Sequence, residues 1–347
     1  MAMDLLKIKP KELAKIFEKM FEHKKPIMVV GPPGIGKTDI THSVTKKLGY
    51  DMITMYPAIS EPVDFRGMPT FNRETNTASF VPFDTLEQLV HAKKPTVCLV
   101  DDLIQANLSV QAAAMHMFLA REVGSHKISD HVTFVVCTND KTHHAGGSGV
   151  IETVKSRMTS IVHLMPDLED WVSWAIETGI RPEIIGFVRL RGLKVLSNFT
   201  PTMDLTNSPS PRGNKSVSDI LNLELDDKHL EMTMIQGACG RGYAIEFDGF
   251  NRLFASLSDP RKILTDPDSV DVPENQSDVI SAYVAAISNM AKPQHMQNIV
   301  KFARRLPIEF QVKLLQYDVK SADPENHATG AYTDWALDNQ DIMKRAV

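Results

Sequence analysis

At 347 residues, 43% hydrophobic and 23% charged, the chain has the size and composition of an ordinary globular protein of one or two domains. A formal charge of −5 excludes a general attraction to nucleic acid or to anionic membranes. The three cysteines, Cys98, Cys137 and Cys239, have no metal-ligand spacing, and Cys98 and Cys137 fall in apolar runs, which points to free buried thiols in a reducing, intracellular setting. The opening MAMDLLKIKP has no signal-peptide core and no run is long enough to span a bilayer, so a soluble, cytoplasmic protein is expected.

Residues 4–22 place Leu13, Ile16, Phe17 and Met20 among lysines and glutamates, the pattern of an amphipathic helix broken near Pro10. A short apolar run at 26–30 then leads into Gly31, Pro32, Pro33, Gly34, Ile35, Gly36, Lys37 and Thr38, and a helix-like stretch follows to Leu48. Strand, glycine loop and helix together form a phosphate cradle. Backbone N–H groups turn onto the phosphates, Lys37 reaches the β- and γ-phosphates, and the Thr38 hydroxyl binds Mg²⁺. The new helix adds the positive end of its dipole.

A second strand is expected at 51–56. The segment 59–86, rich in Pro, Gly, Thr and Asn, is too long for a plain β–α connection and reads as a hairpin insertion. The buried-type strand 95–100 delivers Asp101 and Asp102 at its C-terminal end, where ligands sit in parallel sheets. Asp101 is placed to hold Mg²⁺ and Asp102 to orient a water. A helix N-cap pair is the alternative reading of the same two carboxylates.

A helix over 104–122 is expected to end at Gly124, with 125–130 as a hairpin tip. Strand 132–138 follows, and Asn139 just past its end can reach a γ-phosphate or an attacking water. In isolation Asn139 also reads as a strand-ending turn. His143 and His144 have no second ligand cluster nearby and read as a solvated loop. With a last strand at 160–165, five strand candidates alternate with helical or loop stretches, which predicts a five-stranded parallel sheet covered on both faces.

Beyond Pro166 the pattern turns helical. Helices are expected at 167–177, with Trp171 and Trp174 on one face, and at 182–190. A proline-rich loop over 197–215 precedes a helix from Ser216. Further helices over 231–257 and 276–291 flank an Asp/Pro-rich linker at 259–275. The run 301–305 reads as a solvated helix face, and the tail beyond Tyr317, polar until 332–337, as a segment that frays.

In this order the loop, the aspartate pair, the strand-end asparagine and a later arginine resemble AAA+ ATPases of the MoxR group. Residues 64–69 are similar to the start of the helix-2 insert, 121–132 to the pre-sensor hairpin, 155–158 to the arginine-finger segment and 210–212 to the sensor-2 motif. The resemblance implies an AAA+ P-loop core over 1–165, a helical lid with sensor 2 over 166–258 and a linker with a C-terminal helical extension over 259–347. It also implies a hexameric ring binding ATP and Mg²⁺. Lys37, Thr38 and Asp101 would hold phosphate and metal, Asp102 would be the catalytic carboxylate, Asn139 sensor 1, Arg212 sensor 2, and Arg157 a finger reaching the neighbouring subunit.

Such proteins remodel or assemble partner complexes, commonly with von Willebrand factor A domain proteins. The usual Asp-Glu pair is Asp101-Asp102 here, one methylene shorter, which predicts slow basal hydrolysis. Two other readings stand beside the motor: a nucleotide-gated binding module, and a nucleic-acid motor, which the acidic balance disfavours.

Overall fold

In the computed structural model, residues 6–139, 152–199, 205–272 and 276–343 are described; the 143–149 loop with His143 and His144 lies outside them. The chain divides into two compact units, residues 1–165 and 166–347. Among the described residues no helix is long and apolar enough to cross a membrane.

The first unit runs β1 (Lys7–Ile8), α1 (Pro10–Glu22), β2 (Ile27–Val30), α2 (Lys37–Lys47) and β3 (Asp51–Met55). Then come α3 (Val63–Arg66), the hairpin β4 (Met68–Asn72) and β5 (Thr77–Val81), α4 (Thr85–His91), β6 (Thr96–Asp101) and α5 (Leu108–Ala120). The small hairpin β7 (Glu122–Val123) and β8 (His126–Lys127) precedes β9 (Val132–Thr138), α6 (Glu152–Lys155) and β10 (Ser160–Leu164). The main sheet has the order β1-β10-β2-β9-β6-β3 with every pairing parallel.

Alternation along the strands sorts side chains between two cores. Ile27, Val29, Val97, Leu99, Val135 and Cys137 pack with Leu13 and Phe17 of α1 and Val44 of α2. Met28, Cys98, Val100, Phe134 and Val136 face the other way, against Phe65, Leu89, Ala113 and Met117 from α3, α4 and α5. Both faces of the strands are therefore covered, which is why they read as continuous apolar runs.

The α/β architecture with its insert hairpin and following helical region is present, with corrections of detail. The sheet has six strands among the described residues rather than five. Lys7–Ile8 pairs with His163 and Leu164, an addition too short to show in periodicity. Pro10 starts α1 at its first position, where its missing N–H costs nothing, and does not break a helix. Helix α5 ends at Ala120, with Arg121 left-handed, and Gly124 lies instead between the strands of the β7–β8 hairpin.

The second unit contains α7 (Leu168–Glu177), α8 (Pro182–Arg191), α9 (Leu193–Leu196), α10 (Pro211–Leu221), α11 (Lys228–Cys239) and α12 (Arg241–Ala255). After it come α13 (Lys262–Thr265), α14 (Ser277–Ser288), α15 (Met296–Ala303), α16 (Ile308–Val312), a π-helix over Lys313–Asp318, α17 (Val319–Ala322), α18 (Gly330–Asp338) and α19 (Gln340–Met343). Its two cores share α14: Ala282 and Ala285 enter one, Tyr283, Val284 and Ile287 the other.

Three expectations shift here. Helix α10 begins at Pro211, capped by Ser210 Oγ accepting from Gly213 N, rather than at Ser216. The stretch 231–257 is two helices parted at Gly240. Among the described residues, up to 343, the tail does not fray, because Val319 and Trp335 are fully buried and Trp335 Nε1 donates to Gln311 Oε1 at 3.0 Å.

Candidate functional site

Strand order builds the site. β9 lies between β2 and β6, so the loop after β2, Asn139 after β9 and the aspartates after β6 emerge side by side at the C-terminal edge of one parallel sheet. Gly31 leaves β2 where a Cβ would stand 2.9 Å from the Leu164 carbonyl oxygen, so the loop lies against the neighbouring strand at a distance no side chain permits. Gly36 has φ +106° and open space where a Cβ would be. It precedes α2, whose first turn has no side-chain cap. A helix start without a side-chain cap is the kind of end at which an anion is favoured.

Lys37 is 6% exposed. Its Nζ donates to Asn139 Oδ1 at 2.9 Å and to the Gly31 and Pro32 carbonyls at 2.9 and 3.1 Å. Asn139 Nδ2 in turn donates to Asp102 Oδ1 at 3.1 Å. Thr38 Oγ1 donates to Asp101 Oδ2 at 2.8 Å. Two connected groups result: an ammonium, amide and carboxylate in line, and beside them a hydroxyl and a carboxylate. Asp101 Oδ1 also accepts from the Asp102 backbone N–H at 3.1 Å.

The structure thus brings together Lys37, Thr38, Asp101, Asp102 and Asn139. Arg157 stands exposed on the turn after α6 and has no part in this network among the described residues. Arg212 belongs to the second unit, where it is exposed in the first turn of α10.

Two supporting residues escaped sequence reasoning. Gln111, wholly buried in α5, donates through Nε2 to the Ala106 carbonyl at 3.0 Å and holds the segment just after Asp102. A glutamine amid the alanines of α5 was the available signal. Thr41 Oγ1 donates back to the Lys37 carbonyl at 2.9 Å. Below the site, burial pushes the Cys137 thiol up to about 12, with the Asp101 charge adding to it, so Cys137 is a neutral packing group.

The donor set fits a magnesium nucleotide. Thr38 and Asp101 offer adjacent hard oxygens, which Mg²⁺ takes one or two at a time alongside phosphate oxygens. Lys37 and the uncapped N–H groups of α2 offer what a polyphosphate needs. Among the described residues no cluster of three or more His, Cys, Asp or Glu side chains could hold a metal by itself.

No family model and no curated protein matches the chain. Among solved structures, a point mutant of RuvB from Thermotoga maritima is similar at 15% identity, with 73% of each chain covered and a TM-score of 0.41. NtrX from Brucella abortus in complex with ADP is similar at 12% identity, covering 91% of this chain and 67% of that one, with a TM-score of 0.42. At such scores the fold rests on its own strand order and the site on its own geometry.

Proposed function

We propose that the chain is an ATP-hydrolysing AAA+ motor of the MoxR-like group, which remodels or assembles partner protein complexes as an oligomeric, hexameric ring. The observation that carries this reading is the Lys37–Asn139–Asp102 line beside the Thr38–Asp101 pair. An ammonium for phosphate charge, a carboxylate for a water and an amide between them are the parts that phosphoryl transfer to water requires.

Lys37 binds and neutralises the β- and γ-phosphates. Thr38 and Asp101 hold Mg²⁺, which when bound offsets the charge of the phosphate oxygens. Asp102 orients the attacking water, and Asn139 ties its position to that of Lys37, so a displaced lysine also moves the carboxylate. Arg212 acts as sensor 2, and Arg157, exposed and with a planar fork of donors, serves a neighbouring subunit's nucleotide. The partner in this reading is a von Willebrand factor A domain protein, and the setting is cytoplasmic.

Phosphate release by the purified chain with Mg·ATP tests the reading. Lys37→Ala is expected to lose nucleotide binding. Arg157→Ala is expected to keep binding and lose about 10³-fold or more in turnover, as an arginine finger does. Wild-type chain that binds ATP without turnover, even when assembled, would reject the motor. It would favour the second reading, a nucleotide-gated binding module, which the short Asp102 side chain supports. DNA-stimulated hydrolysis at low salt would instead favour a nucleic-acid motor.

A further inference from the structure

Asp102 follows strand β6 in the left-handed region and leads into a single tight turn over Leu103–Gln105. Gln105 N donates to the Asp102 carbonyl at 2.9 Å, and Ala106 N to the Leu103 carbonyl at 3.2 Å. Leu103 and Ile104 are buried, so this turn is anchored in the core. With one methylene between Cα and carboxyl, Asp102 has little reach of its own. The course of the turn therefore sets where its carboxylate lies, and Asn139 Nδ2 meets that carboxylate at 3.1 Å.

Gln111 braces the turn from inside. It has no exposed surface, and its Nε2 donates to the Ala106 carbonyl at 3.0 Å and, at the longer distance of 3.4 Å, to the Ile104 carbonyl. Both amide protons are thus used on the backbone that follows Asp102. Turning the amide over would set its oxygen against two carbonyl oxygens, so its neighbours permit one orientation. In that orientation Oε1 is buried with no donor among the described residues. An unpaired buried acceptor is costly, and a side chain present for packing alone would not carry one. What Gln111 supplies is its pair of donors. Helix α5 fixes where they stand, since Gln111 N donates to the Asn107 carbonyl at 3.0 Å at the start of that helix.

These bonds lie apart from the phosphate loop. Lys37 is held by Gly31, Pro32 and Asn139, and Thr38 by Asp101. Loosening the turn therefore separates two tasks of the site: the nucleotide is still bound, while the water is misplaced.

On the reading above, in which Asp102 orients the attacking water, we propose that Gln111 is a positioning residue for hydrolysis that acts through Asp102, its amide fixing the turn that aims the carboxylate. The test uses the full chain with Mg·ATP. Labelled phosphate release gives kcat and KM even for slow variants, and equilibrium binding gives ATP affinity. Wild type is compared with Gln111→Met, which keeps the length and removes the donors, and with Gln111→Asn, which keeps the donors one methylene short. Asp102→Asn is measured alone and combined with each.

Gln111→Met is expected to lower kcat by about 10–10²-fold, the cost of a small misplacement at the reacting centre, with KM and ATP affinity unchanged. Gln111→Asn is expected to fall between it and the wild type. Added to Asp102→Asn, either change is expected to lower kcat no further, because no carboxylate is left to aim. If Gln111→Met does not fold, Gln111→Asn decides. Wild-type kcat in the folded variants, or a joint loss of kcat and ATP affinity, would overturn the assignment. So would full additivity with Asp102→Asn, which would place the action of Gln111 elsewhere. A wild type that binds ATP without turnover would instead reject the ATPase reading, and the positioning role with it.

Discussion

Asp102 has φ 55° and ψ 37°, in the left-handed region that aspartate and asparagine tolerate best among residues with a side chain. The short side chain that departs from the Asp-Glu pattern is thus matched to its backbone. Asp102→Asn is expected to keep the turn and ATP binding while turnover falls by about 10²–10⁴, the usual worth of a positioned base. Asp102→Glu restores the methylene but adds left-handed strain of about 1 kcal/mol, so a lower melting temperature without faster phosphate release is expected. A large rate gain in that variant would show that reach, not backbone, limits hydrolysis. Lys37, Thr38 and Asp101 were legible as types at a spacing; the Asn139 bridge between Lys37 and Asp102 was not, since its ends are 102 and 37 residues away.

At the scale of elements, the apolar runs announced their strands because a strand buried on both faces has no polar positions to hide it. The errors came where one residue type serves two purposes. Pro10 breaks a helix from within and opens one from its first position, and only the surrounding chain decides which. The tail looked polar up to residue 331, with a short apolar cluster beyond it too brief to announce a core, yet Trp335 fills the second unit's core. Trp335→Ala is therefore expected to cost about 3–5 kcal/mol, as large buried aromatics do, and to lower the denaturant midpoint. A loss within a few tenths of a kcal/mol would restore the frayed tail. The run 301–305 is likewise only partly a solvated face. Lys301 and Arg304 make exposed ion pairs, whereas Arg305 donates to the Pro267 and Val270 carbonyls and so fastens the linker to α15.

Across the whole molecule the three cysteines are buried and free, and burial raises each thiol from 9.0 to about 12. A raised folded value means that the unfolded chain gives up these protons first. Their contribution to stability is complete below about pH 9 and is lost progressively as the pH climbs toward 12. Denaturant midpoints measured on either side of pH 9 should fall on the alkaline side, and replacing the thiols by alanine should flatten that fall. A midpoint that rises with pH there would contradict the burial.

Local chemistry in the sequence determined the α/β class, the glycine loop between strand and helix and the residue types beside it. These follow from side-chain period, glycine freedom and charge, all properties of neighbours along the chain. Tertiary structure alone decided that β9 lies between β2 and β6, which sets Asn139 between Lys37 and Asp102. It alone also paired Arg189 with Asp318 across 129 residues and left two guanidinium nitrogens facing no protein acceptor among the described residues. Parallel pairing and burial are bargains between distant segments, settled by how two faces pack, and no short window of sequence contains both.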